Sequence, residues 1–259
     1  KIFKMNYKEL NKNGFTILRE WVTKPWLNNI QNILPLIFNQ HRIIREQNNN
    51  GIISNGVAMN ALVSDNLFVN FLETMIERGL IDDIQNHYFK DDCILNSFSA
   101  ISNIPSESTL FYKKVHRDIR KYSGNIPLLL NMLVMVDDFT VENGGTLLLP
   151  GSHLKEETPT TKYWENNSIS MTGNAGDIII WNSNVFHASG INKTNNIRRA
   201  LPITFSLPYY KQLLDYPRAL GYDKKDMYSK ELQALIGYNS RVPSSLSEWY
   251  LPDLQRMYK

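Results

Sequence analysis

Leu128-Leu129-Leu130-Asn131-Met132-Leu133-Val134-Met135-Val136 is the longest apolar run in the chain, interrupted only by Asn131. A helix crossing a bilayer needs about 20 apolar residues, so this run is far too short to span one. It follows Ser123-Gly124-Asn125 and precedes Glu142-Asn143-Gly144-Gly145, and between those turn signals it reads as a strand. Similar runs lie around it, at Cys93–Ile101, Phe111–Ile119, Thr146–Leu149, Gly176–Trp181 and Leu201–Leu207. Pro150-Gly151-Ser152, Gly173-Asn174 and Lys193-Thr194-Asn195-Asn196 separate the later ones. Many short strands between Gly, Asn and Pro turns predict a β-sandwich or barrel.

The pattern before Cys93 is helical. Asn6 caps a short helix through Leu10, which Asn13-Gly14 closes, and Gly14–Leu18 reads as a strand. Thr23-Lys24-Pro25 opens a long helix with Leu27, Ile30, Ile33, Leu34, Ile37 and Phe38 at helical spacing. Pro35 falls inside it and predicts a kink or a split. Asn48-Asn49-Asn50-Gly51 is a loop. A second amphipathic helix or pair lies between Asp65 and Phe89, with Leu67, Phe68, Phe71, Leu72, Met75 and Ile76 on one stripe. His41 and His87 fall at helix ends and read as surface histidines. After Tyr209 the best helix is Ser229–Ile236.

Helices first and strands afterwards predict an α+β chain with a mainly β core, not alternating βαβ units. With no internal repeat, residues 1–259 read as one domain: a helical part over 1–92, a β core over about 93–207 and a tail over 208–259.

Composition narrows the function. Of 259 residues, 42% are hydrophobic and 20% charged, as in an ordinary globular protein. A net charge of +3 without a Lys/Arg tract gives no footprint for nucleic acid. No membrane association is expected either. Cys93 is the only cysteine, which excludes an intramolecular disulfide or a Cys-based zinc site. It favours a reducing compartment, and the expectation is cytoplasmic.

Val115-His116-Arg117-Asp118-Ile119 carries the chemistry. On a strand, His116 and Asp118 share a face, and together they make two-thirds of the 2-His-1-carboxylate set that holds non-haem Fe(II). Alone, the pair also fits a structural histidine. His187 follows the Gly176–Trp181 strand and precedes the small residues Ala188-Ser189-Gly190, so it is placed to supply a third ligand. Arg198 stands eleven residues further on, at the start of another strand. A hairpin of that length returns it alongside the metal strand, where its planar fork suits a carboxylate.

In this order, His116-x-Asp118, Glu142-Asn143-Gly144-Gly145-Thr146-Leu147-Leu148-Leu149-Pro150-Gly151-Ser152-His153, Gly176-Asp177, His187-x-Ser189-Gly190-x-Asn192 and Arg198 resemble the phytanoyl-CoA dioxygenase family. These are Fe(II)/2-oxoglutarate-dependent oxygenases, and the resemblance runs roughly from Gly14 to Leu207. It implies a double-stranded β-helix, the cupin-like jelly roll, with the N-terminal helices packed on one face. It implies His116, Asp118 and His187 as iron ligands, and Arg198 as the partner of the distal carboxylate of the cosubstrate 2-oxoglutarate. Ser189 matches a hydroxyl that helps hold that carboxylate, and Asn131 a polar position near the cosubstrate. His153 is implied to brace its turn and not to bind metal.

The implied reaction consumes 2-oxoglutarate and O2, releases succinate and CO2, and oxidises a substrate C–H. Related halogenases lack the carboxylate at the position of Asp118, so its presence argues for hydroxylation. Desaturation, epimerisation or cyclisation at the same iron, or a non-catalytic module binding metal and a 2-oxo acid, are the alternatives. A zinc hydrolase would leave Arg198 without a role. Lys114 and Arg120 share the strand face of His116 and Asp118, where they face an anionic small-molecule substrate or only solvent. Trp181, Tyr163 and Trp164 are expected as pocket walls, and Ser152–Gly173 is a long polar segment of the kind that forms lids. Oligomeric state has no signature in the sequence.

Overall fold

The structure is a computed structural model describing residues 4–50, 56–105 and 114–256. Its first element, α1 (Tyr7–Asn13), is capped by the Asn6 side chain accepting from the Glu9 N–H and is closed by Gly14 in the left-handed region. The strand β1 (Phe15–Leu18) follows, then α2 (Lys24–Gln47). The split expected at Pro35 is absent, and α2 runs unbroken. Pro35 is exposed, while Leu27, Ile30, Leu34, Ile37 and Phe38 are buried. A proline inside a helix costs about 3 kcal/mol, and five buried apolar side chains at about 1.5–3 kcal/mol each more than offset it.

The strand β2 (Val57–Ala58) precedes α3 (Asn66–Glu77) and α4 (Leu80–Ile84). Their buried side chains include the expected Phe68, Phe71, Leu72 and Met75. His41 Nε2 meets the Ser64 hydroxyl at 2.9 Å, and His87 pairs with Asp83, so both act locally.

The region expected as one strand over Cys93–Ile101 is two, β3 (Ile94–Phe98) and β4 (Ala100–Asn103). Then come β5 (Leu129–Met135), β6 (Thr146–Leu148), α5 (Thr161–Asn167), β7 (Ile169–Ser170), β8 (Ile178–Asn182), β9 (His187–Ser189) and β10 (Arg198–Ser206). The tail holds α6 (Tyr216–Leu220), α7 (Lys230–Ile236), capped by Ser229, and α8 (Leu246–Trp249).

These strands form two antiparallel sheets. The larger has the order β1-β8-β5-β10-β4-β2, with β3 also paired to β10, and it is not closed. The smaller is β7-β6-β9. Along its length β10 pairs on one side with β5, and on the other first with β4 and then with β3. The N-terminal part, expected to be helical, thus also contributes both outer strands of the large sheet, β1 and β2.

Alternation along the strands divides the core in two. Leu130, Met132 and Val134 of β5, Ile178 and Ile180 of β8, and Leu201, Ile203 and Phe205 of β10 pack with the helices. Leu133 and Met135, Ile179 and Trp181, and Ala200 point the other way and meet Leu148 of β6. The large sheet therefore has helices on one face and the small sheet on the other. No described helix is long and apolar enough to cross a membrane.

Candidate metal centre and its cavity

His187 opens β9, which pairs with β6 through Leu148↔His187 and Thr146↔Ser189. His116 belongs to no strand. The expected strand over Phe111–Ile119 falls partly outside the described residues, and Lys114–Ile119 makes a single bridge, His116 to His187. Those two residues exchange both main-chain hydrogen bonds, at 3.0 and 2.9 Å, which sets their rings side by side with centroids 4.3 Å apart. Past that rung the chain bends from Asp118 on, and the Asp118 carboxylate reaches the same point. The residue between them, Arg117, holds the bend to its surroundings. Its guanidinium donates to the carbonyls of Asn184, Ser152, Glu156 and Lys155 and lies 4.0 Å over the Phe186 ring.

The Asp118 carboxylate stands 3.5 Å from His116 Nε2 and 3.4 Å from His187 Nε2. One ligand atom from each residue lies within 4.8 Å of the other two, the only such group among the described residues. Each imidazole has its Nδ1 on a main-chain carbonyl, His116 on Lys114 at 2.7 Å and His187 on Val185 at 3.0 Å. A carbonyl only accepts, so Nδ1 carries the hydrogen and the Nε2 lone pair faces the centre, the arrangement metal-binding histidines use.

Electrostatics agree. With no metal bound, an imidazole that also carries a proton on Nε2 donates to Asp118; desolvation pushes that carboxyl up, but the charge of a protonated His187 and hydrogen bonds from both imidazoles hold it far below the usual carboxylate range. Burial pushes His116 down, and the Asp118 carboxylate and the Lys114 carbonyl outweigh it, so the net shift is upward. Once a metal displaces the Nε2 protons, two imidazole nitrogens and one carboxylate oxygen fit a divalent metal of the Fe(II) or Zn(II) kind.

A cavity of about 430 Å³ reaches these three side chains. Arg198 and Ser189 lie in its wall. Arg198 is only 1% exposed, stacks 4.0 Å over the Phe139 ring, and donates from Nη2 to the Gly144 carbonyl at 3.1 Å and the Ser189 hydroxyl at 3.3 Å. It does not return on a hairpin beside His187, as the interval suggested. β9 belongs to the small sheet and β10 to the large one, so Arg198 reaches Ser189 across the gap between sheets. The eleven-residue connection is long enough to change sheets.

Asn103, which the sequence reading did not single out, pairs with Arg198 in register. Its amide donates to the carbonyls of Gly190 at 2.9 Å and Gly144 at 3.2 Å and to Ser189 Oγ at 3.3 Å. It ties the large sheet to the turn that carries Ser189. Nothing in the sequence marked it, since its partners are groups that only the fold brings near.

Asn131 is buried next to this cavity, in register with Trp181 on one side and with Thr204 on the other. Its Oδ1 accepts from the Thr204 hydroxyl at 3.1 Å, and it is not itself part of the wall. Trp181 is in the wall, edge-on to the His187 ring with centroids 5.3 Å apart. Arg120 is also in the wall, whereas Lys114 is exposed outside it. Of the two cations expected on one face, only Arg120 thus lines the cavity. Tyr163 and Trp164 are not walls of this cavity. Both belong to α5, where Trp164 packs with Leu149, Phe186 and Ala188 on the outer side of the small sheet. Ser152–Gly173, expected as a lid, thus holds α5 and β7 and covers that outer side.

His153 lies away from the centre. Its Nε2 meets the Asn11 carbonyl at 3.0 Å, and Gly151 N–H donates to Asn13, so the Pro150–His153 turn is fastened to the end of α1.

Comparison with known proteins gives a consistent picture. Residues 10–200 match the family model described as phytanoyl-CoA dioxygenase. The uncharacterised protein Rv1501 of Mycobacterium tuberculosis is 29% identical over 208 residues, 79% of this chain and 75% of that protein. The dioxygenase sphC of Aspergillus fumigatus is 25% identical over 187 residues, 67% of this chain but 50% of its own length. Among solved structures, AviO1 from Streptomyces viridochromogenes superposes with a TM-score of 0.56 at 17% identity, covering 78% of this chain and 93% of that one. That likeness concerns the fold alone.

Proposed function

The chain belongs to the phytanoyl-CoA dioxygenase family, and from this premise we propose that it is an Fe(II)/2-oxoglutarate-dependent dioxygenase that hydroxylates a C–H bond of a small molecule, with release of succinate and CO2. Membership and the dioxygenase-named relatives support an oxygenase in general. One observation carries the finer reading: a His-Asp-His group and a buried arginine open into the same cavity. A structural metal site has no use for that arginine.

His116, Asp118 and His187 would hold Fe(II), which with 2-oxoglutarate and O2 bound supplies the oxidation of the C–H bond. The chain's own groups do the positioning. The Lys114 and Val185 carbonyls keep both imidazoles in the tautomer that presents Nε2. Arg198 and Ser189 offer a fork and a hydroxyl to the distal carboxylate of 2-oxoglutarate, in a place where burial excludes competing water. Trp181 fixes the His187 ring and closes that side of the cavity. Asn131 is read as supporting the cosubstrate region from behind the wall. The two facing sheets are read as the halves of a jelly roll within a single domain, and the lone Cys93 goes with a cytoplasmic setting.

Metal retention tests the ligand assignment. Protein loaded with Fe(II) without oxygen and then desalted is expected to keep one iron per chain, and Asp118→Ala and His187→Ala to lose it. Iron retained at the wild-type level in both variants contradicts the assignment. Once a substrate is in hand, product mass separates the outcomes: a gain of one oxygen for hydroxylation, a loss of two hydrogens for desaturation.

A further inference from the structure

The cavity wall includes many residues besides the three of the candidate metal centre, and one of them carries a charge of its own. Arg120, two residues after Asp118, is exposed and forms part of the wall. The other arginines nearby are engaged. Arg117 clamps four carbonyls, Arg199 pairs with Asp137, and Arg198 reaches Gly144 and Ser189. The Arg120 guanidinium has no hydrogen bond or ion pair among the described residues. Asp118 is the only carboxylate among the described wall residues.

Charge bookkeeping then points one way. A divalent metal, one carboxylate and two guanidiniums leave the loaded cavity with three positive charges, and dianionic 2-oxoglutarate removes two of them. The remaining charge is that of Arg120. The cavity wall is mainly apolar, with Met59, Leu129, Pro202 and Leu213 among its residues. Hydroxyls interrupt it where β10 shifts register against β3 between Thr204 and Phe205. There Asn96 and Ser97 both face the cavity, which regular alternation would forbid.

We infer that the substrate is a small amphiphilic acid whose carboxylate or phosphate pairs with Arg120 while its apolar body lies along Leu129, Pro202 and Leu213. This names the substrate class for the oxygenase reading and rests on that reading. An arginine suits the task because its planar fork grips either oxyanion through two parallel hydrogen bonds. The acid group anchored at Arg120 holds the substrate in the cavity that His116 and His187 also line.

The test uses octanoate, phenyl phosphate and the neutral methyl octanoate as probes, followed by melting-temperature shift and tryptophan fluorescence. Binding is measured in the metal-free protein and in protein loaded with Mn(II) and 2-oxoglutarate, for the wild type, Arg120→Gln and Arg120→Lys. At least one acid is expected to bind the wild type more tightly than the ester does. Arg120→Gln is expected to weaken that acid about tenfold, the loss of a charged hydrogen bond, to leave the ester unchanged, and Arg120→Lys to recover part of the loss. The preferred acid identifies carboxylate or phosphate. Equal binding of acids and ester, or acid binding unaltered in Arg120→Gln, overturns the inference. If 2-oxoglutarate fails to bind the Mn(II) protein while Arg120-dependent acid binding persists without metal, the oxygenase reading falls and the acid site stands. If 2-oxoglutarate binds and no acid is preferred, the acid site falls and the oxygenase reading stands.

Discussion

Each metal-facing histidine commits its Nδ1 hydrogen to a main-chain carbonyl two residues earlier, so the local backbone fixes the tautomer without help from another side chain. That detail is invisible in the sequence, whereas His116, Asp118, His187 and Arg198 were legible there from residue type and order. Asn103 and Arg117 were not, because their work consists of hydrogen bonds to carbonyls that only the fold brings near. The two classes predict different phenotypes. Arg198→Ala removes a charged fork, at a cost of about 1.5–3 kcal/mol, and is expected to raise the half-saturating 2-oxoglutarate concentration by at least tenfold in a succinate assay. A half-saturation unchanged from wild type would remove Arg198 from the cosubstrate site. Asn103→Ala is expected to raise the same constant more modestly while iron content stays at one per chain, since it positions Ser189 and touches no ligand. Loss of iron in that variant would contradict the positioning role.

At the level of elements, the segment that carries His116 and Asp118 is pinned by one bridge and one arginine instead of a ladder. Its apolar and β-branched flanks read as a strand, of which the described residues form only this one bridge. The Asn143-Gly144-Gly145 turn is tighter. Gly144 has φ +78°, and a Cβ there would lie 2.4 Å from Asn103 Nδ2 and 2.5 Å from the Gly190 carbonyl. Gly144→Ala combines a left-handed strain of about 1–3 kcal/mol with that clash and is expected to lower the melting temperature and weaken 2-oxoglutarate binding together. A variant with wild-type melting and binding would show that the turn has room to spare. At the start of β8, buried Asp177 accepts from the Glu20 and Asn174 N–H groups and from Arg19. Asp177→Ala leaves those donors without their acceptor, a loss of about 3 kcal/mol or more, and calorimetry is expected to show a fall of several degrees. The Gly-Asp pair was visible in the sequence, but its use in joining β1 to β8 was not.

Across the whole molecule, two sheets face each other with helices behind the larger one, and the cavity opens into the gap between them. The α+β class and the mainly β centre followed from the spacing of turns. β1, expected as a strand, and β2, which was not, form the two edges of the large sheet, so the front part of the chain also joins the β core. Pairing between strands this distant in the chain leaves no local pattern to read. The same topology brings the candidate site together: His187 comes from the small sheet, Arg198 from the large one, and His116 with Asp118 from the segment that bridges to β9. The central claim is that this convergence supports Fe(II)-dependent turnover of 2-oxoglutarate. The most direct test follows succinate formed from 2-oxoglutarate in air, with and without Fe(II), in the wild type and in Asp118→Ala. The account predicts succinate only from the iron-loaded wild type, even without a second substrate, at the slow rate of uncoupled turnover. No succinate from the iron-loaded wild type, or equal amounts from Asp118→Ala, would contradict it.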